Sequence, residues 1–113
     1  MRTAALEMLY AGFPGGVVIP CFEPVLITTG RQIRENGWPD GVSRLAVMLD
    51  GECSFQTLDS ANIRIWWGAF LGMPNQVLRS GPLSDVADEI VRVRAEERAK
   101  HGWIMDIYLL DRR

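Results

Sequence analysis

Histidine and lysine are almost missing from this sequence. His101 is the one imidazole and Lys100 the one lysine among 113 residues. A single histidine removes the paired imidazoles on which most metal sites and proton relays depend. Cysteine is scarce too: Cys21 and Cys53 stand in separate apolar stretches with no Cys-x-x-Cys spacing, which argues against zinc ribbons and dithiol redox chemistry. Both are expected to be reduced and buried rather than joined in a disulfide. No run approaches the roughly 20 apolar residues of a bilayer-spanning helix. The longest uncharged stretch, Met8 to Phe22, is broken by two prolines and three glycines. No small-residue cleavage pattern follows the N-terminal apolar stretch, so a cytoplasmic location is expected.

Positive charge is not in surplus either. Lys plus Arg number 12 against 14 acidic residues, a net charge of −2, and the arginines are spread along the chain. Such a surface draws neither nucleic acid nor an anionic membrane, and no partner of either kind is expected. The one glycine-rich turn, "GFPGG", lacks the lysine and helix start of a phosphate cradle. No carboxylate cluster joins His101, and no metal or other cofactor is expected.

What is present is ordinary globular material, 48% apolar and 23% charged. That suits one α+β domain over residues 1–113, since two would each be too small for a core. "TAALEMLYAG" reads as a short helix with Thr3 as N-cap, "FPGG" as a turn, and "VVIPCF" and "VLITT" as strands parted by Glu23-Pro24. "TGRQIRENG" carries a capping box, Thr29 with Gln32, and Gly37 ends the helical turns it starts. "RLAVMLDGECSFQT" reads as a hairpin about Asp50-Gly51, with Asp50 and Glu52 as turn and solubility residues. Its first arm is apolar on both sides, as in a central strand, and its second alternates.

The stretch "DSANIRIWWGAFLGMP" fits two periods. As a helix over 60–71 it puts Ile63, Trp66, Trp67, Phe70 and Leu71 on one face, with Asp59 as N-cap and Gly72 as stop. As a strand it alternates Ala61, Ile63, Ile65 and Trp67 with Asn62, Arg64 and Trp66. The end signals favour the helix. "VLRSG" is then a short edge strand, and Pro82 opens a long helix over 83–101 with a Leu83, Val86, Ala87, Ile90, Val93 stripe. "WIMDIYLLD" closes as a strand, with Trp103, Met105, Ile107 and Leu109 inward and Asp106 on the other face. The expected fold is α+β: an antiparallel sheet of four or five strands, with the helices at about 60–71 and 83–101 packed on one face.

For function, the residues offer little chemistry. A Cys21–His101 thiol dyad has nothing in the sequence to bring it together. The helix-then-strand finish, "AEERAKHG" then "WIMDIYLLD", resembles that of barstar-like ribonuclease inhibitors, although the acidic inhibitory helix of that family has no matching positions here. The expectation is a non-enzymatic inhibitor that binds another protein, first of the phage anti-defence, anti-CRISPR-like kind, then an immunity protein or antitoxin. The alternative of another class is a small-molecule-binding or enzymatic domain with a pocket lined by Trp66, Trp67 and Cys21.

Partner-binding residues are sought among those without a structural task. Trp38 sits in the turn "ENGWPDG", where it either folds back over the core edge or anchors a partner, with Arg34 and Asp40 as a polar rim. Arg94, Glu97 and Arg98 continue the long helix beyond the end of its apolar stripe. They face solvent or dock on a partner, Arg98 foremost.

Overall fold

In the computed structural model, residues 25–112 are described. The expected N-terminal helix, the "FPGG" turn, the "VVIPCF" strand and Cys21 lie outside the described residues. The elements are β1 (Leu26–Thr29), α1 (Gly30–Asn36), β2 (Arg44–Met48), a 3-10 turn (Ser54–Thr57), β3 (Ile63–Ala69), β4 (Val77–Pro82), α2 (Leu83–His101) and β5 (Asp106–Arg112). The class is α+β as expected, with five strands among the described residues in the order β1-β2-β5-β3-β4. The sheet is mixed rather than wholly antiparallel, because α1 carries the chain back so that β2 lies parallel to β1. The other pairings are antiparallel.

The two tryptophans occupy a strand, which corrects the helix expected over 60–71. β3 runs between β5 and β4, with Trp66 opposite Leu109 and Trp67 opposite Tyr108. Successive side chains therefore leave on opposite faces, and both indoles are buried. A strand covered on both faces is apolar at nearly every position, so a helical period can be found in it as easily as a period of two. The end signals serve turns instead. The Asp59 carboxylate accepts from the Ala61 amide at 3.1 Å, and Gly72 takes the left-handed conformation at φ +78°.

The second helix is α1, whose ends were legible. The Thr29 hydroxyl accepts from the Gln32 amide at 3.3 Å, and the Gly37 amide donates to the Ile33 carbonyl. Ile33 of α1 and Leu83, Ile90 and Val93 of α2 pack on Leu45, Val47, Ile65, Trp67, Tyr108 and Leu110, so both helices cover one face. The other face gathers Ala46, Trp66, Leu71, Ile107 and Leu109. β2 is a central strand as expected, and β4 is an edge strand.

Two further expectations are corrected. The hairpin about Asp50-Gly51 does not form: residues 54–57 make a 3-10 turn, and β2 pairs with β1 and β5. Trp103 and Met105 are not inward but about half exposed, because β5 starts only at Asp106. At the far end of the sheet Arg44 is fully buried and pairs across the β2–β5 register with Asp111, Nε to Oδ1 3.4 Å. Among the described residues no helix is long and apolar enough to cross a membrane.

Gly30 shows how tightly α1 is set against the sheet. A Cβ there would stand 2.2 Å from Asp50 Oδ1, and that carboxylate is held on several sides. Gly30→Ala is expected to cost about 1–3 kcal/mol by overpacking. The Tm should fall by about 4–8 °C for each kcal/mol. An unchanged Tm would mean that the helix can retreat from the carboxylate without loss.

Candidate functional site

Asp50 follows β2 and is buried, which corrects its reading as an exposed turn residue. Its Oδ2 accepts from the Tyr108 hydroxyl at 2.5 Å and the Ser54 amide at 2.6 Å. Its Oδ1 accepts from the Ser54 hydroxyl at 2.7 Å, the Glu52 amide at 3.2 Å and Arg34 Nη1 at 3.4 Å. Burial pushes the carboxyl pKa up, but the hydrogen bonds from Tyr108, Ser54 and Glu52 together outweigh it and hold the pKa below its ordinary value of 3.8. Tyr108 is shifted the other way. Burial first, and then the Asp50 carboxylate, keep it a neutral donor. Arg34 also donates to the Ser54 hydroxyl at 2.6 Å and pairs with Glu52 at 3.1 Å, so it belongs to this knot.

The knot fixes the segment 50–54, including Cys53 in the left-handed conformation at φ +52°. That segment and the 3-10 turn form one wall of an open groove of about 740 Å³, through Glu52, Cys53 and Gln56. The facing wall is α2. Val91, Ala95 and Ala99 recur there at four-residue steps, Gly102 follows just past the helix end, and these residues leave the space between unfilled. Trp103 and Ile104 close one end. The Trp103 ring stands edge-on to Phe70 at 5.2 Å, which steadies it although it is half exposed.

The charges in the groove differ in their freedom. Arg94 reaches down to Asp106, Nε to Oδ2 2.9 Å and Nη2 to Oδ1 3.3 Å, and both side chains are largely buried. The Trp67 indole donates to the same Oδ2 at 2.8 Å. Burial alone would lower the Arg94 pKa; its hydrogen bonds and attraction to Asp106 raise it instead, so the guanidinium stays charged. Burial pushes the Cys53 thiol up, so it is a thiol at neutral pH. Arg98 is exposed and makes no side-chain hydrogen bond or ion pair among the described residues.

The six residues marked from sequence are not gathered in one place. Arg34 joins the Asp50 knot, while Arg94 and Arg98 line the groove. Glu97 turns along its own helix to Lys100 at 3.1 Å and His101 at 3.5 Å. Trp38 is half-buried: its indole donates to the Val42 carbonyl at 2.6 Å, and the Arg112 guanidinium lies 4.7 Å over its ring. Asp40 is exposed in the same turn. The pocket of Trp66, Trp67 and Cys21 is not formed as expected, since the two indoles lie on opposite faces. Cys21 lies outside the described residues, and the His101 ring stands against Phe70 at 5.0 Å. Among the described residues no group of histidine, cysteine and carboxylate side chains could hold a metal. Sequence reading missed Asp50, Ser54, Tyr108, Cys53 and Trp103. The one available signal for the groove was the small-residue face of α2.

The fold and groove define an α+β unit with a recess of the size that takes small molecules. No family model matches the chain. Among curated proteins, a precorrin-6A synthase (deacetylating) from a Sinorhizobium species is 48% identical over 88 residues, which are 78% of this chain and 33% of that protein. Among solved structures, the crystal structure of a cobalamin-synthesis-related protein, CobF, from Corynebacterium diphtheriae matches with a TM-score of 0.84 at 37% identity. That match covers 96% of this chain and 44% of the other. The chain thus spans about a third of the curated relative and less than half of the crystallised one.

These likenesses overturn the expectation of a non-enzymatic inhibitor, whether anti-CRISPR-like, immunity protein or antitoxin. The proteins matched are named for cobalamin synthesis, and one of them is named as an enzyme. They favour the alternative, a small-molecule-binding or enzymatic domain. The inhibitor reading rested on missing motifs, and a groove built from a helix face and a loop carries no short motif to find.

The Asp50 knot carries a pH signature. Because the folded pKa is depressed, its contribution to stability is present in full above pH 3.8 and is lost as the pH falls through the lower folded value. Tyr108→Phe removes one donor, which should cost about 1–3 kcal/mol and let acid unfolding begin at a higher pH. Acid titrations followed by circular dichroism check this. Superimposable curves for parent and variant would contradict it.

Proposed function

We propose that this chain acts in cobalamin biosynthesis as part of a precorrin-6A synthase-type enzyme, in the cytoplasm, and that it helps to hold a corrin precursor. The observation that carries the reading is the 48% identity over 88 residues with the Sinorhizobium enzyme. The TM-score of 0.84 with CobF supports it, since that protein too is named for cobalamin synthesis. A precorrin is a large macrocycle fringed with carboxylates. A recess of about 740 Å³ lined in part by Val91, Trp103 and Ile104, with an exposed arginine at its edge, offers such a ring both apolar contact and a cation.

The test is a graft. The 88 matching residues of the Sinorhizobium enzyme are replaced by those of this chain, and the chimera is expressed in a strain lacking that enzyme. Cobalamin production should be restored, together with acetate release from the precursor in extracts. A chimera that accumulates as folded protein but restores neither would overturn the proposal.

A further inference from the structure

We infer that the outer edge of β1, with the hollow between β1 and α1, is the contact through which two copies of this chain pair, their β1 strands running antiparallel. This pairing is independent of the function proposed above.

The two edges of the sheet are unlike. β4 carries the devices that keep edge strands from pairing, a charged side chain and a proline. The Arg79 guanidinium folds back to donate to the Leu78 carbonyl at 2.8 Å and reaches Glu89 of α2 at 2.7 Å. Pro82 ends the strand without an N–H to offer. β1 has neither device. Its sequence is Leu-Ile-Thr-Thr, rich in β-branched residues, and among the described residues it pairs with β2 alone. Leu26 is 42% exposed. An open, uncharged edge of this kind is a template for another strand.

The hollow beside the edge says which strand. It holds about 270 Å³, below the roughly 300–1,000 Å³ of small-molecule sites, and so suits a side chain better than a cofactor. Leu26 and Thr28 of β1 line it, with Gln32, Ile33 and Asn36 of α1 and Pro39 beyond. No lining residue is charged, in a chain of which 23% is. A surface that meets its own copy sets like against like, so it works best without net charge and with donors and acceptors in balance. The amides of Gln32 and Asn36 and the hydroxyl of Thr28 are both donors and acceptors.

The alternation of β1 sets the register. Leu26 and Thr28 lie on the α1 side, and Ile27 packs on the other face of the sheet. Residues directly opposite in an antiparallel pair share a face, so the two-fold axis passes through a residue position rather than between two. Centred on Ile27, it sets Leu26 of each copy opposite Thr28 of the other, about 4.5–5.5 Å apart between Cβ atoms. The exposed Leu26 then enters the hollow of the second copy, and the two Ile27 side chains meet on the far face.

One short strand and one hollow from each copy make a contact smaller than the usual ~800 Å² per partner, so the dimer is reversible. Sedimentation velocity of the full chain over roughly 1–500 µM should show the mass rising from one chain towards two. Leu26→Lys should raise the dissociation constant at least tenfold, because it brings a charge into an apolar contact. Asn36→Lys should do the same by setting like charges across the axis, at a helix C-terminus where lysine suits the fold. Met73→Lys is the control. It removes an apolar side chain of similar exposure, 39%, in the turn before β4, and should associate like the parent. A parent that stays monomeric throughout would overturn the pairing. So would Leu26→Lys or Asn36→Lys associating like the parent, or Met73→Lys weakening the dimer as much as Leu26→Lys does.

Discussion

A buried carboxylate with five donors is the constraint on which the rest of this structure depends. Asp50 draws Tyr108 from β5, Arg34 from α1 and both polar groups of Ser54 from the following loop onto one side chain. A buried carboxylate without such partners would cost several kcal/mol. The loop after β2 therefore has little freedom. It must bend back to deliver the Glu52 and Ser54 amides, and it does so by placing Leu49 and Cys53 in the left-handed region. Gly30 lets α1 come close enough for Arg34 to join.

The same end of the sheet holds a second node. Asp106 starts β5, beside the end of β2, and it ties Trp67 of β3 to Arg94 of α2. The two nodes tie different helices of the same layer to the sheet, Asp50 holding α1 and Asp106 holding α2. The charge left in the groove follows from what each node consumes. Arg34 and Arg94 are spent inside the fold, while Arg98, one turn further along α2, is left at the opening. Arg44 and Asp111 close the opposite end of the sheet.

Local signals were read correctly where they decide local structure. The Thr29 cap, the Gly37 stop and the apolar stripe of α2 depend on neighbours within a turn or two. The stretch with two tryptophans failed because burial on both faces erased its period. The Asp50-Gly51 signal failed because the carboxylate found partners 16 and 58 residues away, Arg34 and Tyr108, which no local rule can see. At the site, Arg98 stood out as a charge beyond the end of the stripe. Arg94 looked the same in sequence, yet it is an internal ion pair. Trp103 was assigned to the core since alternation was extended past the true start of β5. The function itself was not legible, because the sequence carries no short motif that names a reaction or a ligand.

Amide hydrogen exchange on Asp50→Asn tests the central claim most directly. The substitution keeps the shape of the side chain but turns one acceptor oxygen into a donor amide, which must then face donors. The account predicts that exchange at Glu52 or Ser54, whose amides each bond to one of the two carboxylate oxygens, speeds up at least tenfold, equivalent to about 1.4 kcal/mol. Amides at the centre of the sheet, where Trp66 pairs with Leu109, should keep their protection. Unchanged exchange at both Glu52 and Ser54 would contradict the account, for it would mean that the loop holds its shape without the carboxylate.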